Sequence, residues 1–367
     1  MSKLKILVVS ADLKIGGAQA VAANIAKYAP ENYSFCYVVL TPEVGDYENM
    51  LLQQGHQVIH IPAPSDGMIK YFKNLLDLMR RERFDVVHCH TMFNCGVVML
   101  AARIAGIPCR ISHSHTIKEG CEMTLIRRCY QQVMRLLIHY CGNVYFACGR
   151  DAGYVLHGKK WFARKGVVIP NGIDSKAYGY SDENRAIIRR QYHLEDQFVI
   201  GHVGHYVAVK NQIFLIRLME KIREKIPNAV LLLFGEGEDR EMLCAQIKQR
   251  AAGQYIRLMG NVNNIAQVLS AFDVFAFPSL FEGTPLALIE AQANGLPCII
   301  SDKIPADACL TEDINRVQLD DADAWVDAIV RACRRNPEGK TDILLTKYED
   351  IQGSMNKVYS VYEEVVS

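Results

Sequence analysis

No run of eighteen apolar residues occurs anywhere in the 367-residue chain, which excludes a helix of the kind that crosses a bilayer. The apolar stretch within MSKLKILVVSAD is too short for a secretory leader and has the shape of a first strand. Paired cysteines are missing as well. The 12 cysteines stand singly, without a C-x-x-C or any spacing suited to a zinc site or disulfide framework, and are expected to be reduced thiols of a cytosolic protein. No tract is biased enough in composition to stay unfolded. An overall excess of charge is absent too, the formal net being +1.

That near-neutrality conceals a division. Residues 1–170 carry 20 Lys and Arg against 12 Asp and Glu, whereas the remainder carries 21 against 28. A basic half suits an anionic partner or membrane surface through its summed potential, and suits an ordinary solvated surface equally. The length exceeds what one ordinary core accommodates and is comfortable for two.

What the sequence does have is alternation. KILVVS, GAQAVAANIAKYA, FCYVVL, a helical pattern, QVIHIP and a helix ending near Arg83 follow βαβα order. The strands lack polar alternation, as strands covered on both faces do, and so predict an α/β fold with a parallel sheet between helices. DVVHCH, a helix near 94–105, CRISHSH, a helix near 122–139 and NVYFAC complete one domain. A strand in KGVVIPNGID then ends at the turn signal Pro170-Asn171-Gly172, which places the boundary between domains of 1–170 and 171–347. The second series comprises FVIGHVG, a helix from about Asn211 to Lys225, AVLLLFG, a helix from about Asp239 to Ala251, IRLMG, a short helix, VFAFPS, a helix from about Pro285, and PCIIS. The segment 348–366 reads as a last helix, with Ile351, Met355, Val358, Val361 and Tyr362 at helical spacing, and is a candidate to pack on the first domain.

Two parallel sheets facing each other imply a ligand cleft beyond the carboxyl ends of their strands, so chemistry is expected in strand-to-helix loops. In FEGTPLALIEAQANGLPCIIS, residues 281–301, Glu282 lies in such a loop and Glu290 two turns into the following helix. Bare amides around Gly283 and Thr284, at a helix start with Pro285 in its first position, suit a phosphate, and the two carboxylates suit sugar and ribose hydroxyls. GHVGHYVAVKNQ, residues 201–212, offers Gly201 and Gly204 for close backbone approach and sets Lys210 at a helix start, where a bound anion would offset the dipole. FGEGEDR supplies Gly235 and Gly237, and LKIGGAQ supplies Gly16 and Gly17. CRISHSHT ends a strand with His113 and His115, which were expected to alternate across it so that at most one meets a substrate; His88 and His90 compete for that role. Taken singly, each of these residues also admits a purely structural reading. No Asp-x-Asp closes a strand, and Asp321 with Asp323 fits the start of a late surface helix.

Assembled, these loops resemble the family 4 glycosyltransferases nearly end to end. The resemblance is carried by the E-x7-E pair Glu282 and Glu290, by GG at 16–17, PNGID at 170–174, VKNQ at 209–212 and FGEG at 234–237. ISHSH and SDKIPADA look like the branch that builds exopolysaccharide and capsule. The resemblance implies a GT-B fold: two Rossmann-like domains with parallel sheets facing a central cleft, the first binding acceptor and the second a nucleotide sugar. It implies retaining transfer of a hexosyl or N-acetylhexosaminyl group from a nucleotide-diphosphate sugar, with UDP expected, to a saccharide or polyprenyl-diphosphate-linked glycan. No metal, no cofactor besides the donor and no nucleic acid is expected, and the expected place is the cytoplasm, with peripheral membrane contact.

Carried over by position, the resemblance gives Glu282 the donor sugar, Glu290 the ribose and Lys210 the diphosphate. Amides near Gly283, Thr284 and Leu286 take the distal phosphate, backbone near Asn261 and Val262 the base, and Gly16, Gly17, Gly204 and Gly235 allow close approach. From the reading of the strand end, and not from the resemblance, His113 is the candidate catalytic group of the first domain, with His115 open beside it. One departure stands out: His205 occupies the place of a family arginine five residues before Lys210, and lacks both the permanent charge and the forked donors of arginine. Either His205 still helps the phosphates, as a candidate catalytic residue beside Lys210, Glu282 and His113, or Lys210 carries the load with another basic group such as Lys14. An epimerase or phosphorylase on the same plan, and a non-catalytic sugar-nucleotide-binding partner of a transferase, remain as alternatives. A nicotinamide dehydrogenase is disfavoured, because the first strand leads to LKIGGAQ and not to a three-glycine turn.

Overall fold

Runs of valine, isoleucine and aromatic residues set thirteen strands among the described residues, in two separate sheets. The computed structural model describes residues 3–116, 124–282, 285–332 and 348–366. It divides into a front unit, Met1–Gly172 with Ile351–Ser367, and a rear unit, Ile173–Asp350.

The front sheet contains β1 (Leu4–Ser10), β2 (Tyr33–Val39), β3 (Gln57–His60), β4 (Val86–Cys89), β5 (Cys109–Ser114), β6 (Val144–Ala147) and β7 (Gly166–Val168), in the order β3-β2-β1-β4-β5-β6-β7. The pairings are parallel, for example Val8 opposite both Tyr37 and His88. Strands such as β4, Val-Val-His-Cys, are buried at every position, which is why they show no polar alternation. One face packs Leu7, Val9, Leu75, Val98 and Ile138; the other packs Ile6, Val8, Ile25 and Phe146. Ile351, Met355, Val358, Tyr359 and Tyr362 of the last helix, Ile351–Val366, complete this second layer. Tyr359 donates to the Ile25 carbonyl at 2.9 Å and Ser354 to that of Pro170 at 2.8 Å, fixing the helix to the front unit.

The rear sheet repeats the plan with β8 (Phe198–Val203), β9 (Ala229–Phe234), β10 (Ile256–Gly260), β11 (Val274–Phe277), β12 (Cys298–Ser301) and β13 (Ile314–Val317), ordered β10-β9-β8-β11-β12-β13. Its two faces pack Ile200, Leu231, Ala276 and Trp325 on one side and Val199, Leu232, Phe275 and Leu288 on the other. In both sheets the first strand lies beside the fourth, so the path reverses direction there. Loops leaving the carboxyl ends of two such strands diverge and leave a crevice. β1 with β4, and β8 with β11, are those places.

Several element ends differ from expectation by one to a few residues. The helix expected from Asn211 begins at Gln212, and the helix expected from Pro285 begins at Leu286 with Pro285 as its N-cap. The long helix expected near 122–139 runs Leu125–Cys141, with the Thr124 hydroxyl accepting from the Arg127 amide at 3.3 Å.

Candidate active site

The loop after β8 carries Lys210 and the loop after β11 carries Glu282. The two side chains meet: Lys210 Nζ donates to Glu282 Oε1 at 2.7 Å, and they are only 18% and 11% exposed. Lys210 Nζ also stands 5.0 Å from the centre of the Phe277 ring. Main-chain contacts hold the loops together, with Leu280 N–H donating to the Val209 carbonyl at 2.8 Å and Asn211 Nδ2 to the Pro278 carbonyl at 3.2 Å. A shielded cation and carboxylate at the β8/β11 switch point can receive a ligand that bears both an anion and hydroxyls, the anion taking the lysine and the hydroxyls the carboxylate.

Lys210 does not sit on the helix start, as its place before Asn211 had suggested. It ends a short 3-10 turn, Ala208–Lys210, and Asn211 at φ 54° separates it from the helix Gln212–Lys225. The left-handed conformation, tolerated by asparagine, keeps the lysine out of the helix. The electrostatic partner of Lys210 in this structure is therefore Glu282 and not the helix dipole.

Glycines close the same loops together. At Gly235, with φ 141°, a Cβ would stand 2.1 Å from the Gly204 carbonyl oxygen; at Gly204 it would stand 3.4 Å from Lys210 Cδ. The loops after β8 and β9 touch because Gly235 carries no side chain. His205 is exposed, with Nδ1 3.3 Å from the Glu236 carbonyl oxygen. Val262, in the loop after β10, packs its side chain against the rear core, while Asn261 and Asn263 on either side of it are exposed.

Glu290 lies half-buried on the helix Leu286–Ala293. Burial raises its carboxyl to about 7, against the opposing effect of a hydrogen bond with Tyr178. Gly283 and Thr284 lie outside the described residues. Leu286 opens the helix, and its amide and the next have no acceptor within the helix itself.

In the front unit Gly16 caps the helix Gly17–Lys27, where a Cβ would stand 2.5 Å from Gln19 Oε1. Lys14 is engaged by Glu43 in an exposed ion pair. At the ends of β4 and β5 four imidazoles gather. His88 Nε2 lies 3.0 Å from His113 Nδ1, and His90 Nδ1 lies 2.7 Å from His115 Nε2. The rings of His113 and His115 are 4.1 Å apart, on one side of the strand. The expectation that they face opposite ways is thus corrected: residues two apart in a strand share a face. Burial lowers all four imidazoles, His115 to about 4, and keeps them neutral. His90 Nε2, His113 Nε2 and His115 Nδ1 are buried without a partner among the described residues. His88, His90 and His113 bring possible ligand atoms within 4.8 Å of one another, but His88 uses both its nitrogens in hydrogen bonds, to Tyr362 and to His113.

Tyr362 and Tyr178 are the participants that periodicity alone did not single out for a site. Tyr362 reads as one more apolar position of a terminal helix, and Tyr178 as a residue of an inter-domain segment.

Comparison with known proteins gives the family and the fold. Residues 184–340 match the family model described as glycosyl transferases group 1, and residues 15–177 match that of glycosyltransferase family 4. The putative glycosyltransferase EpsF of Bacillus subtilis is 31% identical over 98% of this chain and 97% of its own. A UDP-Gal:alpha-D-GlcNAc-diphosphoundecaprenol alpha-1,3-galactosyltransferase of Escherichia coli is 28% identical over 90% of this chain and 88% of its own. Among solved structures, Anabaena HepE in complex with UDP and glucose superposes with a TM-score of 0.79 at 19% identity, over 98% of this chain and 99% of that one.

Proposed function

The chain belongs to the family 4 glycosyltransferases, and from that premise we propose that it moves a sugar from a UDP-sugar to a lipid-linked saccharide with retention at the anomeric carbon. The observation that carries the reading is the Lys210–Glu282 pair at the β8/β11 switch point. The names of the relatives support its two ends: the Escherichia coli protein is named for a UDP-galactose donor and a diphosphoundecaprenol-linked acceptor, and HepE was solved with UDP and glucose.

In this reading the donor diphosphate takes Lys210 from Glu282, and the freed carboxylate accepts hydrogen bonds from the donor sugar. Glu290 accepts from the ribose, the Leu286 amide and its neighbour receive the distal phosphate, and the backbone beside Val262 meets the base. The bond from anomeric carbon to diphosphate oxygen breaks while an acceptor hydroxyl attacks from the same face. Stabilising the departing diphosphate is then the protein's principal task, and no metal is required for it. Removing one such donor costs about 3 kcal/mol, or roughly a hundredfold in rate. His113, whose Nε2 has no partner among the described residues, is the front unit's candidate to meet an acceptor oxygen.

A lipid-linked acceptor requires the enzyme at a membrane surface. The helix Leu125–Cys141 supports that reading: Leu125 and Ile126 are 76% and 83% exposed, and Val133, Leu136 and Tyr140 continue the apolar stripe at helical spacing, with Arg128 beside it. Among the described residues no helix is long and apolar enough to cross the membrane.

The test begins with a panel of nucleotide sugars, scored by thermal stabilisation, followed by transfer assays with the best donor. Lys210→Ala and Glu282→Ala are each expected to lose transfer by about a hundredfold. Full transfer by both variants would overturn the assignment.

A further inference from the structure

The last helix reaches into the front-unit strand ends at one point. Tyr362, on Ile351–Val366, is fully buried and places its hydroxyl 2.6 Å from His88 Nδ1, across 274 positions of sequence. His88, equally buried, places Nε2 3.0 Å from His113 Nδ1, and His113 Nε2 has no partner among the described residues. The three side chains form one unbranched chain of hydrogen bonds that ends in a single unpartnered nitrogen.

The direction of that chain follows from proton counting. A neutral imidazole carries one N–H and one acceptor nitrogen, and burial keeps both rings neutral. Burial likewise keeps the tyrosine protonated. If Tyr362 O–H donates to His88 Nδ1, then His88 must carry its proton on Nε2 and donate to His113 Nδ1, and His113 must carry its own on Nε2. Every polar group is then satisfied except that last N–H. In the reverse direction the tyrosine proton has no acceptor among the described residues and the lone pair of His113 Nε2 has no donor, so two buried groups go unsatisfied where the first arrangement leaves one. Among the described residues the neighbouring pair, His90 Nδ1 with His115 Nε2, has an unpartnered buried nitrogen at each end and no group to set its direction.

We propose that Tyr362 and His88 are positioning residues that hold His113 as its Nε2–H tautomer, so that His113 serves the transfer as a hydrogen-bond donor to a substrate oxygen and not as a base. The proposal rests on the reading that His113 meets substrate, but the tautomer itself is a property of the unliganded protein. A neutral N–H donor binds and orients an oxygen without removing its proton. The acceptor hydroxyl's proton therefore leaves by another route, the departing diphosphate being the available base in a same-face transfer.

The experiment uses the full chain labelled with 15N-histidine, with the His113 signals assigned through His113→Gln. Long-range 1H–15N spectra are expected to show His113 protonated on Nε2 in the parent protein, and a mixture of tautomers in Tyr362→Phe, which keeps the ring and loses the hydroxyl. His88→Gln can accept at Oε1 and donate at Nε2, so it is expected to restore the parent tautomer, whereas His88→Leu is not. In transfer assays Tyr362→Phe and His88→Leu are expected to lower kcat about tenfold with the donor KM within twofold, and His88→Gln to retain kcat within about threefold. A parent His113 protonated on Nδ1, or a tautomer unmoved by Tyr362→Phe, overturns the proposal. A parent protein that shows the predicted tautomer but transfers no sugar overturns the functional reading and leaves the chain of hydrogen bonds standing.

Discussion

Glu290 shows how one residue couples stability to ligand binding. Its carboxyl is raised from 4.5 to about 7, first through burial. Between those two values the folded state keeps a proton that the unfolded chain releases, so this residue's contribution to stability falls as pH rises through the window and is level above it. Glu290→Gln removes the titration. The melting temperature of the variant is expected to exceed that of the parent at pH 8, with the gap closing toward pH 5. Melts at both values check it, and a less stable variant at pH 8 would show that the carboxylate is compensated by a partner. In the proposed role the ionised form accepts from the ribose, so UDP affinity of the parent is expected to rise from pH 6 to pH 8 and that of the variant to stay low at both.

The Lys210–Glu282 contact argues differently. Each residue was legible as a member of a strand-to-helix loop, but their union spans 72 positions and depends on β8 lying beside β11. Strand order in a parallel sheet leaves no periodic trace in the sequence, because crossovers of similar length connect neighbours and non-neighbours alike. Removing either partner leaves the other charge shielded and alone. A double-mutant cycle on Lys210→Ala and Glu282→Ala in denaturant unfolding is expected to give a favourable coupling of about 1 kcal/mol. Zero coupling would place the pair apart in solution.

Elements were legible where burial on both faces removed polar alternation, and their ends were not where capping decided them. β1, β8 and β9 follow their apolar runs closely, whereas Lys210 was drawn into a helix that a left-handed Asn211 in fact delays. The helix Leu125–Cys141 shows a further limit of periodicity. Its buried side consists of Met134, Ile138 and Cys141, yet its exposed stripe is also apolar, so hydrophobic spacing alone indicates no single inward face. Arg135, a basic residue of this helix, turns inward and donates to the Leu156 and Val155 carbonyls at 3.1 and 2.9 Å. Arg128 remains exposed at the start of the stripe. Vesicles with anionic lipid are expected to co-sediment the protein, and Leu125→Glu with Ile126→Glu to abolish it, because two carboxylates oppose both the apolar insertion and the surface charge. Raising salt is expected to weaken binding only in part, since screening acts on Arg128 and the basic surface but not on the apolar stripe. Equal sedimentation of parent and double variant would remove this helix from the membrane reading.

At the scale of the whole molecule, two units with separate cores each carry one half of the proposed chemistry. The front unit is also built from both ends of the chain, because Ile351–Val366 returns to supply its second core layer and Tyr362. The proposed phosphate, sugar, ribose and base contacts from Lys210, Glu282, Leu286, Glu290 and the loop at Val262 all belong to Ile173–Asp350. A ligand that binds the folded state alone stabilises it by mass action, by about 2.7 kcal/mol at a hundred times its Kd. UDP without sugar should therefore slow amide exchange first in the loops after β8, β9 and β10 and in the helix Leu286–Ala293. Hydrogen exchange with mass detection at saturating UDP checks this peptide by peptide. Lys210→Ala is expected to weaken UDP and with it the protection in all of those loops together, because the diphosphate ties them through one cation. Protection confined to the front unit would move the nucleotide site away from the β8/β11 switch point, and with it the role of the Lys210–Glu282 pair.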